Sequence, residues 1–404
     1  MRTRTIILLG SLLFAVIIFS CGGGGVTKPS TGPQDPIEKT EESSDIKKMI
    51  VYIDASGSIK GYFSDGTDGK FGNAIACLAQ YKNLNSPVYF WGDKTKINTA
   101  VGAKGGVNAS LRARSGFGQD SYFNEIFKSM VSLITNDSVD AACLVTDAIY
   151  GVGNNLTRND PEHAVKTLPD FKGEIKNVFT GKNVAVGIYK LSSKFSSTTA
   201  GNAYITYQNK PIFPITIENR PFYVIIIGKP DKINGFAKDN GLDAELSFLM
   251  GVHNIKMHNT LKLSDPKHFT HENKWKGNKN DSETELCVKF PSCVGNDSYI
   301  KKNIFVTLNN KEITGFSISN SRLTITQEIE KNASVKPNKE NEFKVVVKNV
   351  IPEEWVDLYN EDDKNIKTNT SIQQQTFGLK YLLEGILEGT SPDNLVEISY
   401  KFKK

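Results

Sequence analysis

Apolar residues fall along this chain in three kinds of block. The first is an almost unbroken run over residues 5–20, behind the basic start Met1-Arg2-Thr3-Arg4. The second is a series of short, continuous runs rich in β-branched residues: 49–53, 88–91, 141–146, 184–191 and 222–227. Continuous runs of that length predict strands buried on both faces, as in a parallel sheet covered by helices. Between them stand segments with helical spacing, at 72–81, at 121–134 (Phe123, Ile126, Phe127, Met130, Leu133, Ile134), and over part of 161–179. Two further short runs, 204–207 and 212–217, predict a hairpin ahead of the last and most apolar strand. Strand and helix in alternation predict an α/β fold with a doubly wound, mostly parallel sheet.

The third kind begins after about residue 231. Short alternating stretches at 286–290, 304–308, 323–329 and 343–350 are separated by polar runs and predict antiparallel strands. An amphipathic helix over 376–387 and a closing strand over 396–402 follow. The expected division is thus an N-terminal leader, 1–20, a polar tether, 21–46, an α/β domain, 47–234, and a smaller β-rich domain with one helix, 235–404.

The leader decides the compartment. A basic start, an apolar stretch shorter than the ~20 residues that span a bilayer, and then small residues is the layout of a secretory signal. The run ends Ile18-Phe19-Ser20-Cys21 and is followed by four glycines. This resembles the lipobox of bacterial lipoproteins, which implies that Cys21 becomes the lipid-modified first residue of the mature chain. The Gly-, Thr-, Pro-, Ser- and Glu-rich stretch behind it buries too little apolar surface to fold and reads as a flexible tether. A cell-envelope protein, lipid-anchored in its membrane, is the expectation.

Composition adds two limits. The net charge of +5 falls to +3 if Arg2 and Arg4 leave with the leader. That is too weak and dispersed for a nucleic-acid partner. Of the remaining cysteines, Cys77 and Cys143 read as small core residues, while Cys287 and Cys293 flank Pro291 at a spacing that permits a disulfide without requiring one.

The candidate chemistry lies at the ends of two predicted strands. Val51-Tyr52-Ile53 delivers Asp54, and Ser56 and Ser58 follow at alternate positions. Residues two apart in extended chain point the same way, so the three oxygens can converge. Such a set suits a hard divalent cation that keeps part of its water shell. A second carboxylate, Asp147, follows the strand Leu144-Val145-Thr146. Ligands of open α/β sheets bind at the carboxyl ends of the strands, where both aspartates are expected. Asp and Ser after a strand also build ordinary turns, which is the competing reading of the motif.

Asp54-x-Ser56-x-Ser58 and the later Asp147 resemble the metal-ion-dependent adhesion site of the von Willebrand factor A family. The resemblance covers about residues 47–228. It implies a bound Mg2+, with Mn2+ or Ca2+ as substitutes, and a protein partner whose acidic side chain completes the metal's coordination. The family's third motif places a threonine in a glycine-rich loop. Here that loop reads Gly116-Phe117-Gly118-Gln119-Asp120-Ser121, so Gln119 stands at the threonine position, with Asp120 and Ser121 the nearest carboxylate and hydroxyl. Ala148 stands where the family commonly has glycine. These departures favour a rival, a metal-free scaffold of the same fold. A metal-dependent hydrolase is the third reading, but no His, Cys or Lys stands beside either motif as a base. His268 and His271 lack acidic or cysteine partners at zinc spacing.

Overall fold

A computed structural model of the chain describes residues 45–63, 69–92, 107, 111–112, 121–151, 160–251, 269–270, 274–275, 286–289, 297–314, 316–320, 322–325, 340–390 and 394–403. The expectations for the leader, the tether, Cys21, Gln119, Asp120 and the Cys287–Cys293 pairing fall outside the described residues.

The first sheet is built from six strands: β1 (Met49–Ile53), β2 (Val88–Phe90), β3 (Ala141–Thr146), β4 (Ala185–Ser197), β7 (Ile215–Gly228) and β8 (Leu246–Met250). A two-residue ladder between β5 (Tyr204–Ile205) and β6 (Pro211–Ile212) forms the hairpin expected ahead of β7. Helices α1 (Lys70–Gln80), α2 (Phe123–Thr135), α3 (His163–Phe179) and α4 (Pro230–Lys238) complete the α/β unit. Val51, Ile53, Leu144, Val145, Ile225 and Ile227 are fully buried in the sheet, as their continuous apolar runs require.

The strand order is β2-β1-β3-β7-β4-β8. Here the expectation of a mostly parallel sheet is corrected. β1 runs parallel to β2 and to β3, but the β3–β7, β7–β4 and β4–β8 pairs are antiparallel. The reason lies in the connection. A parallel neighbour needs a crossover of a dozen or more residues, usually helical. Between β4 and β7 the chain makes only a 3-10 turn and the small hairpin, so it folds back. The two strands, 13 and 14 residues long, then pair from Ala185–Gly228 to Ser197–Ile215 with one irregularity. The returning β7 inserts between β3 and β4. The sheet is mixed, with its parallel part at β2, β1 and β3.

Residues beyond 234 return to this sheet. β8 closes its far edge. Helix α5 (Leu379–Thr390) lies along α3, where Gly385 and Gly389 allow close approach: a Cβ on either would lie 2.8 or 2.5 Å from the Lys172 or Lys176 carbonyl oxygen. Lys172 pairs with Glu384 at 2.9 Å across the contact. A second six-stranded sheet includes 304–308, 340–348 and 394–403, and a three-stranded sheet includes 286–289 and 322–325, close to where alternation predicts strands. Among the described residues no helix is long and apolar enough to cross a membrane.

Candidate functional site

Register places the two aspartates side by side. β1 and β3 are adjacent and parallel, with Ile53 opposite Val145, so the residues following each strand emerge at the same edge. The Asp54 amide donates to the Val145 carbonyl at 2.9 Å, which extends the pairing one residue past β1. Asp54 then turns the chain. Its Oδ1 accepts from the Ser56 amide at 3.0 Å, the local bond by which aspartate caps a turn. A 3-10 helix over Gly57–Tyr62 comes next and buries Ser58.

Hydroxyls converge on the other oxygen. Asp54 Oδ2 accepts from Ser121 at 2.6 Å, Thr146 at 2.8 Å and Ser56 at 3.2 Å. Ser56 Oγ lies 3.3 Å from Ser58 Oγ. Thr146 Oγ1 also accepts from the Ala148 amide at 2.9 Å, fixing the turn after β3. Ala148 sits at φ +56°, in the left-handed region that favours glycine, so this departure from the family pattern carries a backbone cost. Asp147 Oδ1 accepts from the Ile149 amide at 3.3 Å, and its Oδ2 is buried without a hydrogen-bond partner among the described residues.

Both carboxylates are nearly sealed from water, Asp54 at 2% and Asp147 at 1% exposure. Burial raises the pKa of Asp147 to about 7, and the charge of Asp54 adds to it; Ser58, Arg220 and the Ile149 amide oppose the rise. Burial also raises Asp54, against the hydrogen bonds from Ser121, Thr146 and Ser56. Charge desolvated in this way is stabilised by hydrogen-bond donors, by a nearby opposite charge, or by protonation.

Above the serines opens a pocket of about 370 Å³. Ser56, Ser58 and Ser121 line its floor, Ile149, Tyr150 and Gly151 one wall, and Ile205, Thr206, Tyr207 and Asn209 of the hairpin the other. Among the described residues no charged side chain lines it. Asn209 holds the hairpin turn, at φ +62° with its amide donating to Thr206 O at 2.7 Å, and its Nδ2 is buried without a partner among the described residues.

Behind the pocket lies a second buried polar cluster. Arg220, 1% exposed, donates to the carbonyls of Gln375, Gln373 and Ile372 at 2.7, 3.0 and 3.4 Å, and to Tyr204 Oη at 3.3 Å. Tyr204 Oη in turn donates to Asp363 at 2.8 Å, and the Tyr207 amide donates to the other Asp363 oxygen at 3.0 Å. Burial raises Asp363 to about 6, with these hydrogen bonds and Arg220 opposing.

Five of the residues singled out in the sequence thus come together: Asp54, Ser56, Ser58, Ser121 and Asp147. In the third loop, the hydroxyl that reaches Asp54 is Ser121. Thr146 stands in plain view within Leu144-Val145-Thr146-Asp147, yet the motif alone assigns it no role. The hairpin itself was expected, but its place in the pocket wall was not, and Arg220 is a part of this region that sequence reasoning missed. An arginine just ahead of the most apolar run, 222–227, was the one signal available. Among the described residues no three His, Cys, Asp or Glu side chains gather as a metal-binding group. The set here is two carboxylates supplemented by hydroxyls. Its donors are all hard oxygens, and Asp147 Oδ2 is a buried acceptor lacking a donor, so the residues fit a small divalent cation.

No protein-family model matches the chain. Neither a curated protein nor a solved structure is similar to it.

Proposed function

We propose that this chain binds a divalent cation, Mg2+ first, through Asp54, Asp147 and the hydroxyls of Ser56, Ser58 and Ser121, and through the cation an acidic side chain of a partner protein. One observation carries the reading: two buried carboxylates meet at the ends of adjacent parallel strands, share no hydrogen-bonded cationic side chain among the described residues, and lie under a pocket floored by neutral hydroxyls. Two formal negative charges balance a divalent cation, and neutral hydroxyls add none, so a bound cation would retain attraction for an anion. The cation's contribution is that attraction. The protein's residues hold the carboxylates together, exclude water from them, and leave the pocket as the side from which a partner approaches.

The adhesion-site resemblance in the sequence is supported by the adjacency of the Asp54 and Asp147 strands. The antiparallel β7 sets this sheet apart from a mostly parallel one, so the proposal rests on the site rather than on the whole fold. Anchoring through Cys21 in the cell envelope completes it. Metabolic labelling with palmitate, retained by wild type and lost in Cys21→Ser, checks that part.

The deciding experiment is thermal unfolding in chelator and then in millimolar Mg2+ or Mn2+. A ligand that binds only the folded state raises the midpoint by mass action, about 2.7 kcal/mol of stability at one hundred times its Kd. The expected rise should vanish in Asp54→Ala. Indifference to every divalent cation would overturn the metal reading. It would leave the scaffold reading, which has its own support: three hydroxyls already satisfy Asp54 Oδ2, and a pKa of about 7 lets Asp147 hold a proton in a cation's place.

A further inference from the structure

We infer that Asp363 is the positioning residue of this pocket: gripping Tyr204 and Tyr207, and backed by Arg220, it fixes the Tyr204–Ile212 hairpin over the serine hydroxyls. The inference concerns the cavity whose ligand was proposed above and rests on that reading only for the identity of the ligand.

The hairpin's own ladder holds it weakly, and its tip is tied down from outside: Glu162 accepts from Tyr207 Oη at 3.1 Å and from Gln208 Nε2 at 2.8 Å. Its ladder is two residue pairs, Tyr204–Ile212 and Ile205–Pro211, far short of what keeps a hairpin folded alone in water. Asp363 adds a buried restraint at the other end of the hairpin, from a distant part of the chain. One of its oxygens accepts the Tyr207 amide and the other the Tyr204 hydroxyl, so a single carboxylate clamps the hairpin at two points. Arg220 fixes the clamp itself. Its guanidinium lies over the Tyr204 ring, 5.1 Å from the centroid, bonds to that residue's hydroxyl, and holds three carbonyls of the segment after Asp363.

The same segment supports the opposite wall. The Tyr150 amide donates to the Phe377 carbonyl at 3.2 Å, while the Tyr207 ring stacks on the Phe377 ring at 4.9 Å and 13°. Both walls therefore meet on Phe377. The next residue, Gly378, sits at φ +78°, and a Cβ there would lie 2.7 Å from Tyr150 Cβ, so the segment passes as close to this wall as a backbone can. Asp363 is fully buried and both its oxygens are bonded within the clamp. It is out of reach of a pocket ligand and acts on one only through Tyr204 and Tyr207.

The test is amide hydrogen exchange on the full chain, comparing wild type with Asp363→Ala, Asp363→Asn and Tyr204→Phe. Local opening of a weakly held element speeds exchange there without touching core strands. In Asp363→Ala the amides of Tyr207 and Asn209 should exchange at least tenfold faster, while those of Val51, Leu144 and Ile225 keep their rates. Asp363→Asn leaves an oxygen for the Tyr207 amide and should lie between. On the same samples, N-acetyl-aspartate methylamide in saturating Mg2+ should bind Asp363→Ala at least threefold more weakly, with the midpoint shift from Mg2+ alone preserved. Hairpin amides at the wild-type rate in all three variants would overturn the proposal. So would uniform acceleration of hairpin and core strands, the mark of a residue that serves only overall stability. A wild-type chain that ignores Mg2+ would count against the metal reading, and the exchange comparison would still decide the role of Asp363.

Discussion

Two buried polar clusters lie near each other in this molecule, and they handle charge in opposite ways. Around Arg220, a cation and a carboxylate are joined through Tyr204. Both Asp363 oxygens are bonded, and the guanidinium spends four bonds on carbonyls and a hydroxyl. Around Asp54, among the described residues, there are two carboxylates, hydroxyl and amide donors, no hydrogen-bonded cationic side chain, and an orphan oxygen on Asp147. Interior charges must be paired or neutralised. The first cluster pairs its cation and carboxylate from within, with only the Arg220 Nε of its charged groups lacking a hydrogen-bond partner among the described residues, and acts as structure. The second leaves it unmet, and an unmet demand at the floor of a pocket is the mark of a binding site.

The largest test removes charge from the closed cluster. Arg220→Met should cost about 3–5 kcal/mol, the range for breaking a buried charged network, because three carbonyls and the Tyr204 hydroxyl lose their donor and buried Asp363 loses its nearby cation. Urea unfolding would measure it, and a cost under about 1 kcal/mol would mean that the cluster is not closed. The matching change in the other cluster should have the opposite sign. Asp147→Asn in chelator removes a carboxylate that burial and Asp54 disfavour, so it should be neutral or stabilising by about 1–2 kcal/mol. The same variant should lose any midpoint shift from Mg2+. Destabilisation in chelator as large as that of Arg220→Met would erase the distinction.

Titration sharpens the contrast. Asp147 is raised from its ordinary 3.8 to about 7, so between those values the folded chain holds a proton that the unfolded chain has released. Stability in chelator should therefore fall as pH rises from about 4 to 7 and level off above, and the fall should shrink in Asp147→Asn. Metal binding displaces that proton, so apparent Mg2+ affinity should grow about tenfold per pH unit up to 7 if one proton leaves. Calorimetric titration at pH 5.5 and 7.5 checks the sign. A flat profile would mean that Asp147 is already ionised without metal.

The smallest expected effect lies in the turn that follows β3 and Asp147. Ala148 at φ +56° carries about 1 kcal/mol of left-handed strain, and Ala148→Gly relieves it at the cost of about 0.5–1 kcal/mol of extra chain entropy. The net should be within about 0.5 kcal/mol of zero by denaturant unfolding, with the response to Mg2+ unchanged.

Sequence alone determined the parts of this protein set by local pattern. Continuous apolar runs gave β1, β3 and β7 their burial, because strands covered on both faces have no polar positions to alternate. The residues leaving β1 and β3 were legible as a pair for the same reason: a strand carries its next residue to a known end of the sheet. Tertiary structure decided the rest. β7 reads as one more buried strand whichever way it runs, and only the short connection from β4 turned it antiparallel. The third loop offered Gln119, Asp120 and Ser121 in one stretch, and the fold brought Ser121 to Asp54. Arg220 finds its carbonyl partners more than 150 residues away, at Ile372, Gln373 and Gln375, and no spacing along the chain announces such a meeting. Hydrophobic periodicity is a property of neighbours in sequence; pairing a buried charge is a property of neighbours in space.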